Sequence, residues 1–90
     1  MSAIQGRLTL VTGSTRGIGK AIAEAFAAAG AQVIVHGRDG EEAALVSQAI
    51  SAHASVFGNL GSAAGCDAVL GQVQQLGEVD ILVNNAGIFG

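Results

Sequence analysis

The fold is decided by residues 12–19, Thr12-Gly13-Ser14-Thr15-Arg16-Gly17-Ile18-Gly19, which separate two segments of different hydrophobic period. The run before them, Leu8 to Thr12, is short, apolar and rich in β-branched residues, as expected of a buried strand. From Ile18 to Ala29 the apolar residues recur at helical spacing, and Gly30 stands at a C-cap position. The stretch is therefore predicted to be a glycine-rich turn that leads from a strand into a helix.

This turn has the chemistry of an anion site. Glycines allow a sharp turn and let the backbone approach a ligand, while the N–H groups and dipole of the helix start favour a diphosphate. The spacing G-x-x-x-G-x-G of Gly13, Gly17 and Gly19 differs from G-x-G-x-x-G, and no Lys-Ser/Thr pair ends it, so a P-loop is a poor interpretation. A glycine cluster alone also fits a tight turn that binds nothing.

Two further strand–helix units follow. Val33 to Val35 form a second buried run, and Asp39 with Glu42 three residues later forms a capping box for a second helix. A third strand is expected over Ala54 to Gly58, and Ser62 can cap a third helix. Each unit repeats the strand-then-helix order of the first.

A fourth buried strand, Ile81 to Val83, runs into Asn84-Asn85-Ala86-Gly87. The order β-α-β-α-β-α-β with continuous apolar strands predicts the α/β class with a parallel sheet and right-handed crossovers. We expect strand order 3-2-1-4, two helices on one face, the third on the other, and three layers that are incompletely covered. The outer edge of the fourth strand would then be unpaired and apolar.

The periodic apolar residues define expected inward helix faces. They are Ile18, Ile22, Ala25, Phe26 and Ala29 in the first helix, Leu45, Val46, Ala49 and Ile50 in the second, and Cys66, Val69, Leu70, Val73 and Leu76 in the third. On this pattern Cys66 is a small core residue rather than a nucleophile. His36 and His53 have no recognisable catalytic partner and are expected at the surface or at strand ends.

Composition excludes several classes of protein. Ninety residues leave room for one domain, and 50% hydrophobic with 12% charged residues is too apolar for a disordered chain. A net charge of −3 argues against nucleic acid as a partner. One cysteine permits no internal disulfide, and no metal-ligand spacing occurs, so no metal is expected. Because no apolar stretch could span a bilayer and no signal-peptide pattern occurs, we expect a cytoplasmic protein without membrane association.

Two motifs together carry a family resemblance. Thr12-Gly13-x-x-x-Gly17-Ile18-Gly19 and Asn84-Asn85-Ala86-Gly87 resemble the two N-terminal signatures of classical short-chain dehydrogenase/reductases, in the same order and after the same strands. The resemblance covers essentially the whole chain. It implies a Rossmann-type fold that binds a nicotinamide dinucleotide across the carboxyl ends of its strands. Gly-Ser-Thr-Arg-Gly-Ile-Gly-Lys and Val-Ile-Val-His-Gly-Arg look most like the 3-oxoacyl-carrier-protein reductases of that family.

The resemblance also implies cofactor-binding residues. Asn59 and Leu60 match positions beside the adenine, although the family usually has aspartate where this chain has Asn59, which is also a typical turn residue. Asn85 matches an asparagine that both lines the cofactor and ties the sheet together. The full set implied to bind the cofactor is Gly13, Ser14, Thr15, Arg16, Gly17, Ile18, Gly19, Arg38, Asn59, Leu60, Asn85, Ala86 and Gly87.

Charge at the end of the second strand favours NADP(H) over NAD(H). NAD-specific folds carry an acidic residue there, and this chain has Gly37 followed by Arg38, a planar donor suited to a 2′-phosphate. Arg16 matches a second basic position of NADP-preferring relatives. Asp39 is acidic, but as a helix cap it is expected to turn toward the second helix. Solvated arginines with no ligand are the alternative.

The family's catalytic residues have no counterpart here. A Tyr-x-x-x-Lys pair lies beyond the second signature in the family, but this chain has no tyrosine and its only lysine is Lys20. We therefore expect residues 1–90 to be the N-terminal dinucleotide-binding part of one domain, truncated after strand four, with no catalytic residue and no activity alone. The alternatives are a catalytically silent NADP(H)-binding module and an assembly subunit. The open sheet face and edge would favour self-association or a complementing C-terminal half.

Overall fold

Four strands and three helices alternate over residues 3–86, the part of the chain that the computed structural model describes. They are β1 Leu8–Val11, α1 Gly17–Ala28, β2 Gln32–Gly37, α2 Gly40–Ala49, β3 Ala54–Phe57, α3 Ala63–Gln74 and β4 Ile81–Val83. The predicted order is confirmed. The largest difference in bounds is at β2, which is longer than the apolar run that predicted it.

The four strands form one parallel sheet in the order β3-β2-β1-β4, as predicted. The register sets Thr9 of β1 opposite Val33 of β2 and Ile81 of β4, and Val35 of β2 opposite Ser55 of β3. Since all strands run the same way, their carboxyl ends meet at one edge of the sheet. The glycine-rich turn leaves β1 at this edge.

Each face of the sheet carries its own core, with α1 and α2 on one face and α3 on the other. The first core consists of Val11, Ala23, Val33, Val35, Ala43 and Val46. The second consists of Leu8, Leu10, Ile34, Val56, Val69 and Val73. Burying one such large aliphatic side chain contributes about 1.5–3 kcal/mol, and the most enclosed of them lie in the central strands. The predicted distribution of helices over the two faces is confirmed.

Several residues expected on the inward helix faces are instead exposed: Ile18, Ala25, Leu45, Ala49, Cys66 and Leu70. The helices face the sheet with small residues, because the side chains of Ala23 and Ala43 are fully buried and allow close approach to the strands. In α2 this orientation leaves Leu45 62% exposed. The expectation of a core cysteine is wrong, since the Cys66 thiol is free and donates to the Leu60 carbonyl oxygen at 3.3 Å.

The helix starts differ in how their N–H groups are satisfied. Asp39 caps α2 by accepting from the Glu41 N–H at 2.9 Å, and Ser62 caps α3 by accepting from the Gly65 N–H at 3.0 Å. The predicted capping box also requires the Glu42 carboxylate to accept from the Asp39 N–H. This part of the prediction is wrong, because the Glu42 carboxylate accepts from Arg16 instead. At α1 the N-cap residue is Arg16, which makes no side-chain cap bond, and the first turn has no acidic residue. The N–H groups and the positive dipole end at the start of α1 are therefore available to an anion.

The outer strand β4 is open on one side in the described chain. It pairs with β1, and Leu82 at its centre is 61% exposed, in agreement with the expected apolar edge. Among residues 3–86, no helix combines the length and hydrophobicity needed to cross a membrane.

Candidate functional site

A cleft of about 1070 Å³ opens at the carboxyl edge of the sheet, where the glycine-rich turn meets the ends of β2, β3 and β4. From the turn it is lined by Gly13, Thr15, Arg16, Gly17, Ile18 and Gly19. From the strand ends come Arg38, Asn59, Leu60, Asn85 and Ala86. Most of the residues predicted from sequence thus surround one space. Gly87 lies outside the described residues.

The turn is packed too closely for side chains at two glycines. Gly13 has φ of 60°, and a Cβ there would lie 3.2 Å from the Ala86 Cα. A Cβ on Gly19 would overlap the carbonyl oxygen of Gly13 and lie 2.5 Å from the Asn85 Nδ2. The first turn of α1 therefore rests directly on the glycine turn and on the end of β4, which brings its N–H groups to the cleft.

Ser14 lies behind the wall of the cleft rather than on it. Its side chain is fully buried, and its Oγ accepts from the His36 N–H at 2.9 Å. The Ser14 N–H in turn donates to the His36 carbonyl oxygen at 2.9 Å. These bonds extend the pairing between the β1 and β2 segments past the end of β1 and fix where the turn begins.

His36 is the functional residue that sequence reasoning missed. Of the two positions expected for it, the strand end is confirmed, and the residue is buried rather than at the surface, with only 3% of it exposed. Its Nδ1 accepts from the Gly13 N–H at 2.9 Å, and its Nε2 lies 2.9 Å from the Gly58 carbonyl oxygen. A backbone N–H can only donate, so Nδ1 is the acceptor and Nε2 carries the hydrogen. The imidazole thereby joins the ends of β1 and β3.

A faint sequence signal for this role exists. Side chains alternate along a strand, so His36 shares a face of β2 with the core residue Ile34, which is fully buried. The two bonds are to backbone groups, which no residue pattern specifies.

The end of β4 is joined to β1 by side-chain hydrogen bonds. Asn85 is buried, and its Nδ2 donates to the Gly13 carbonyl oxygen at 3.0 Å. Thr12 Oγ1 accepts from the Ala86 N–H at 3.1 Å. The Asn85 Oδ1 is buried and has no hydrogen-bond partner within residues 3–86. An unpaired buried acceptor costs about 1–3 kcal/mol, so this oxygen is suited to a donor that enters the cleft.

The outer rim of the cleft carries charges of both signs. One Arg16 guanidinium nitrogen lies 3.1 and 3.0 Å from the two Glu42 carboxylate oxygens. Hydrogen bonding from Thr15 and from Arg16 holds the pKa of Glu42 below its usual range. Arg38 and Asp39 also line the rim, and Asp39 is turned to the α2 start as expected.

Asn59 and Leu60 form the wall that follows β3. The Asn59 Oδ1 accepts from the Gly61 N–H at 2.9 Å, and its carbonyl oxygen accepts from the Ser62 N–H at 3.2 Å. Asn59 is thus a turn residue, and it also lines the cleft. Leu60 is half-buried against the core beneath α3.

The donors around the cleft fit an elongated, multiply charged ligand. An uncapped helix start suits a diphosphate, two rim guanidiniums suit a further phosphate, and the buried Asn85 Oδ1 can accept from a hydroxyl. A nicotinamide dinucleotide that carries a 2′-phosphate has all three groups. Among the described residues, no group of three or more His, Cys, Asp or Glu side chains could hold a metal ion.

Comparison with known proteins identifies relatives. The family model described as short chain dehydrogenase matches residues 7–90. The 3-oxoacyl-(acyl-carrier-protein) reductase FabG of Aquifex aeolicus is 47% identical over 92 residues, which cover 94% of this chain and 37% of that protein. The Escherichia coli protein of the same name is 44% identical over 86 residues, covering 93% of this chain and 35% of its own length. The chain thus spans about a third of the length of these relatives.

Three solved structures are also similar to this chain. The Pseudomonas aeruginosa RhlG/NADP active-site complex superposes with a TM-score of 0.85 at 37% identity, covering 91% of this chain and 35% of that one. A 3-oxoacyl (acyl-carrier-protein) reductase from Agrobacterium tumefaciens with NADP bound has a TM-score of 0.81 at 42% identity, covering 91% and 33%. A 3-ketoacyl-(acyl-carrier-protein) reductase from Brucella melitensis, complexed with NADH, has a TM-score of 0.79 at 33% identity, covering 89% and 34%.

Proposed function

Because the chain belongs to the short-chain dehydrogenase family, we propose that it is the NADP(H)-binding portion of a reductase of that family. The observation that carries this proposal is the uncapped start of α1, which opens into the cleft beside Arg16 and Arg38. No carboxylate in the first turn opposes an anion there. Relatives named as 3-oxoacyl-(acyl-carrier-protein) reductases support a carbonyl or alcohol substrate.

We assign the cofactor-binding roles as follows. The glycine turn and the first turn of α1, residues 13–19, hold the diphosphate through backbone N–H groups, with Ser14 supporting the turn from behind. Asn59 and Leu60 border the adenine, and Asn85 and Ala86 border the remainder of the dinucleotide, while the role of Gly87, outside the described residues, stays a prediction. The free Asn85 Oδ1 accepts from the ligand.

A 2′-phosphate is favoured over a 2′-hydroxyl by the end of β2. A carboxylate at position 37 would need a Cβ only 2.5 Å from the Thr15 Cγ2, so the acidic side chain of NAD-specific folds does not fit without movement of Thr15. Arg38 follows Gly37 and makes no ion pair with any residue that the structure describes. The neighbouring Asp39 is occupied as the cap of α2. Two solved relatives hold NADP and one holds NADH, so the preference rests on these residues.

In the family's reaction the bound nicotinamide gives a hydride to a carbonyl carbon or takes one from an alcohol carbon. The role of this chain's own residues is to bind and orient the dinucleotide. Its 90 residues contain no tyrosine to hold the proton that the reaction needs, so the chain alone is expected to be inactive. We expect no oxidation of NADPH by the chain with a 3-oxoacyl thioester, and turnover would contradict this assignment.

A second candidate function, an assembly subunit, is favoured by one observation, whereas the catalytically silent binding module stays an alternative that rests on the absent tyrosine. The exposed β4 edge around Leu82 has backbone groups and apolar surface suited to another polypeptide, either a second copy or a complementing half. Sedimentation of the chain in the presence of NADPH tests self-association, since a single monomeric species would remove the case for it.

The exposed free thiol of Cys66 suits a reducing compartment, and we infer the cytoplasm.

The test of cofactor binding is a fluorescence titration of the chain with NADPH and with NADH. The chain contains no tryptophan or tyrosine, so the reduced nicotinamide is observed without competing protein emission. In Arg38→Asp we expect the NADPH affinity to fall about tenfold or more relative to NADH, because a charge-assisted phosphate contact is replaced by repulsion. Arg7→Asp is the control, since it makes the same charge change at an exposed position before β1. Equal losses in both variants would contradict the assignment of Arg38.

A further inference from the structure

We propose that Glu42 sets how strongly the cleft selects a 2′-phosphate, by holding one guanidinium nitrogen of Arg16 in an internal ion pair for which the phosphate has to compete. This inference rests on the proposed function, because it concerns the same cleft and the same dinucleotide. It assigns a specificity-determining role to Glu42, the rim carboxylate that is paired with Arg16.

The two partners of this ion pair differ in how firmly they are held. The Glu42 side chain is 39% exposed, whereas that of Arg16 is 82% exposed. Glu42 belongs to the first turn of α2, which Asp39 caps, and the influence of Thr15 helps to lower the pKa of its carboxyl group. The carboxylate is therefore the anchored partner, and the guanidinium is the partner that can leave.

Glu42 takes up part of the donor set that Arg16 could offer to a phosphate. A single Arg16 nitrogen lies about equally far from the two Glu42 oxygens, at 3.1 and 3.0 Å. Arginine binds carboxylates and phosphates through the same planar donors. Glu42 engages one of the three guanidinium nitrogens, so a phosphate can use that nitrogen only by exchanging with the Glu42 carboxylate. Arg38, which has no ion-pair partner within residues 3–86, is available without such an exchange.

The charge on Glu42 also acts directly. It lines the same cleft as Arg16, Arg38 and Asp39, so its carboxylate repels a 2′-phosphate that enters between the two arginines. A 2′-hydroxyl is neutral, so it neither competes with Glu42 for Arg16 nor is repelled by the Glu42 carboxylate. Glu42 therefore reduces the preference for NADP(H) over NAD(H) without changing the rest of the cleft.

The experiment compares Glu42→Gln with Glu41→Gln in titrations with NADPH and NADH. Both residues lie in the first turn of α2, so each variant removes one charge from the same helix start, but Glu41 does not line the cleft. Exposed ion pairs of this kind predict an increase in NADPH affinity of about two- to fivefold in Glu42→Gln. We expect unchanged NADH affinity in that variant and similar NADPH affinities in Glu41→Gln and the unaltered chain.

A double variant identifies the partner. In an Arg16→Gln background, Glu42→Gln should change NADPH affinity less than it does when Arg16 is present, because no guanidinium is left to release. An increase of the same size in Glu41→Gln would overturn the inference in favour of long-range electrostatics. Equal or lower NADPH affinity in Glu42→Gln, with binding otherwise intact, would overturn it alone. A flat titration with both dinucleotides would overturn the proposed function and this inference together.

Discussion

The cleft has two regions built in opposite ways. Its floor, defined as Gly19, His36 and Asn85 together with Ser14 directly behind them, is buried, and hydrogen bonds of Ser14, His36 and Asn85 join it to the ends of the strands. Its rim, defined as Arg16, Arg38, Glu42 and Asn59, consists of exposed or half-exposed polar side chains at the starts and ends of loops. The floor determines where the glycine turn lies, and the rim determines which charges a ligand meets.

This difference separates stability from selectivity. Floor groups have given up water for specific protein partners, so removing one leaves a buried donor or acceptor unpaired or forces backbone apart. Rim groups remain hydrated, and a change there alters ligand binding with little effect on folding. Variants of the floor are therefore expected to lower the free energy of unfolding, and variants of the rim to leave it nearly unchanged.

The largest effect is expected at Gly19, in the floor. In Gly19→Ala the new Cβ would overlap the Gly13 carbonyl oxygen and crowd the Asn85 amide, and neither neighbour can move freely. We expect a loss in the free energy of unfolding of about 3 kcal/mol or more, measured by urea denaturation followed by circular dichroism.

Gly71 supplies the control for that variant. It also lies inside a helix, α3, and a Cβ there would meet nothing within 4 Å. Gly71→Ala is expected to stabilise the chain by about 0.5–1 kcal/mol, because alanine favours the helix. If both substitutions had the same effect, close approach would not be the reason for glycine at position 19.

The next effect is expected at His36. His36→Ala leaves the Gly13 N–H and the Gly58 carbonyl without their side-chain partner and opens a cavity between them. A loss of about 2–4 kcal/mol is expected in chemical denaturation. The control is His53→Ala, at an exposed histidine just before β3, which should stay within about 0.5 kcal/mol of the unaltered chain. Similar changes in the free energy of unfolding for the two variants would mean that the hydrogen bonds of His36 do not stabilise the fold.

The features that the sequence could predict depend on local pattern or on chain direction. Strand order, the two cores and the glycine turn follow from hydrophobic period and glycine spacing, which act locally or through chain direction. The caps at Asp39 and Ser62 follow from the residue before each helix. These features gave the location of the cleft and most residues that line it.

The errors have a common physical origin in tertiary packing. The exposure of Leu45 and Cys66 depends on the rotation of each helix against the sheet, which a periodic pattern leaves open by about one residue position. The bond of Glu42 to Arg16, 26 residues away, competes with a local capping bond, and only the packing of α2 beside the turn decides between them. The backbone partners of His36 likewise exist only once β3 has been added to the sheet.

The smallest effect is expected at Asn59, in the rim, where the family usually has an aspartate. Asn59→Asp keeps the oxygen that accepts from the Gly61 N–H, so the free energy of unfolding should be nearly unchanged. A carboxylate accepts a stronger hydrogen bond than an amide, which predicts an increase in NADPH affinity of about two- to fivefold. Gln74→Glu, at an exposed position near the end of α3, adds the same charge outside the cleft and should leave the affinity unchanged. A lower affinity in Asn59→Asp than in Gln74→Glu would mean that this rim position repels the phosphates more than it binds the adenine. A carboxylate at position 59 would then lower the NADPH affinity, as we propose that the Glu42 carboxylate does.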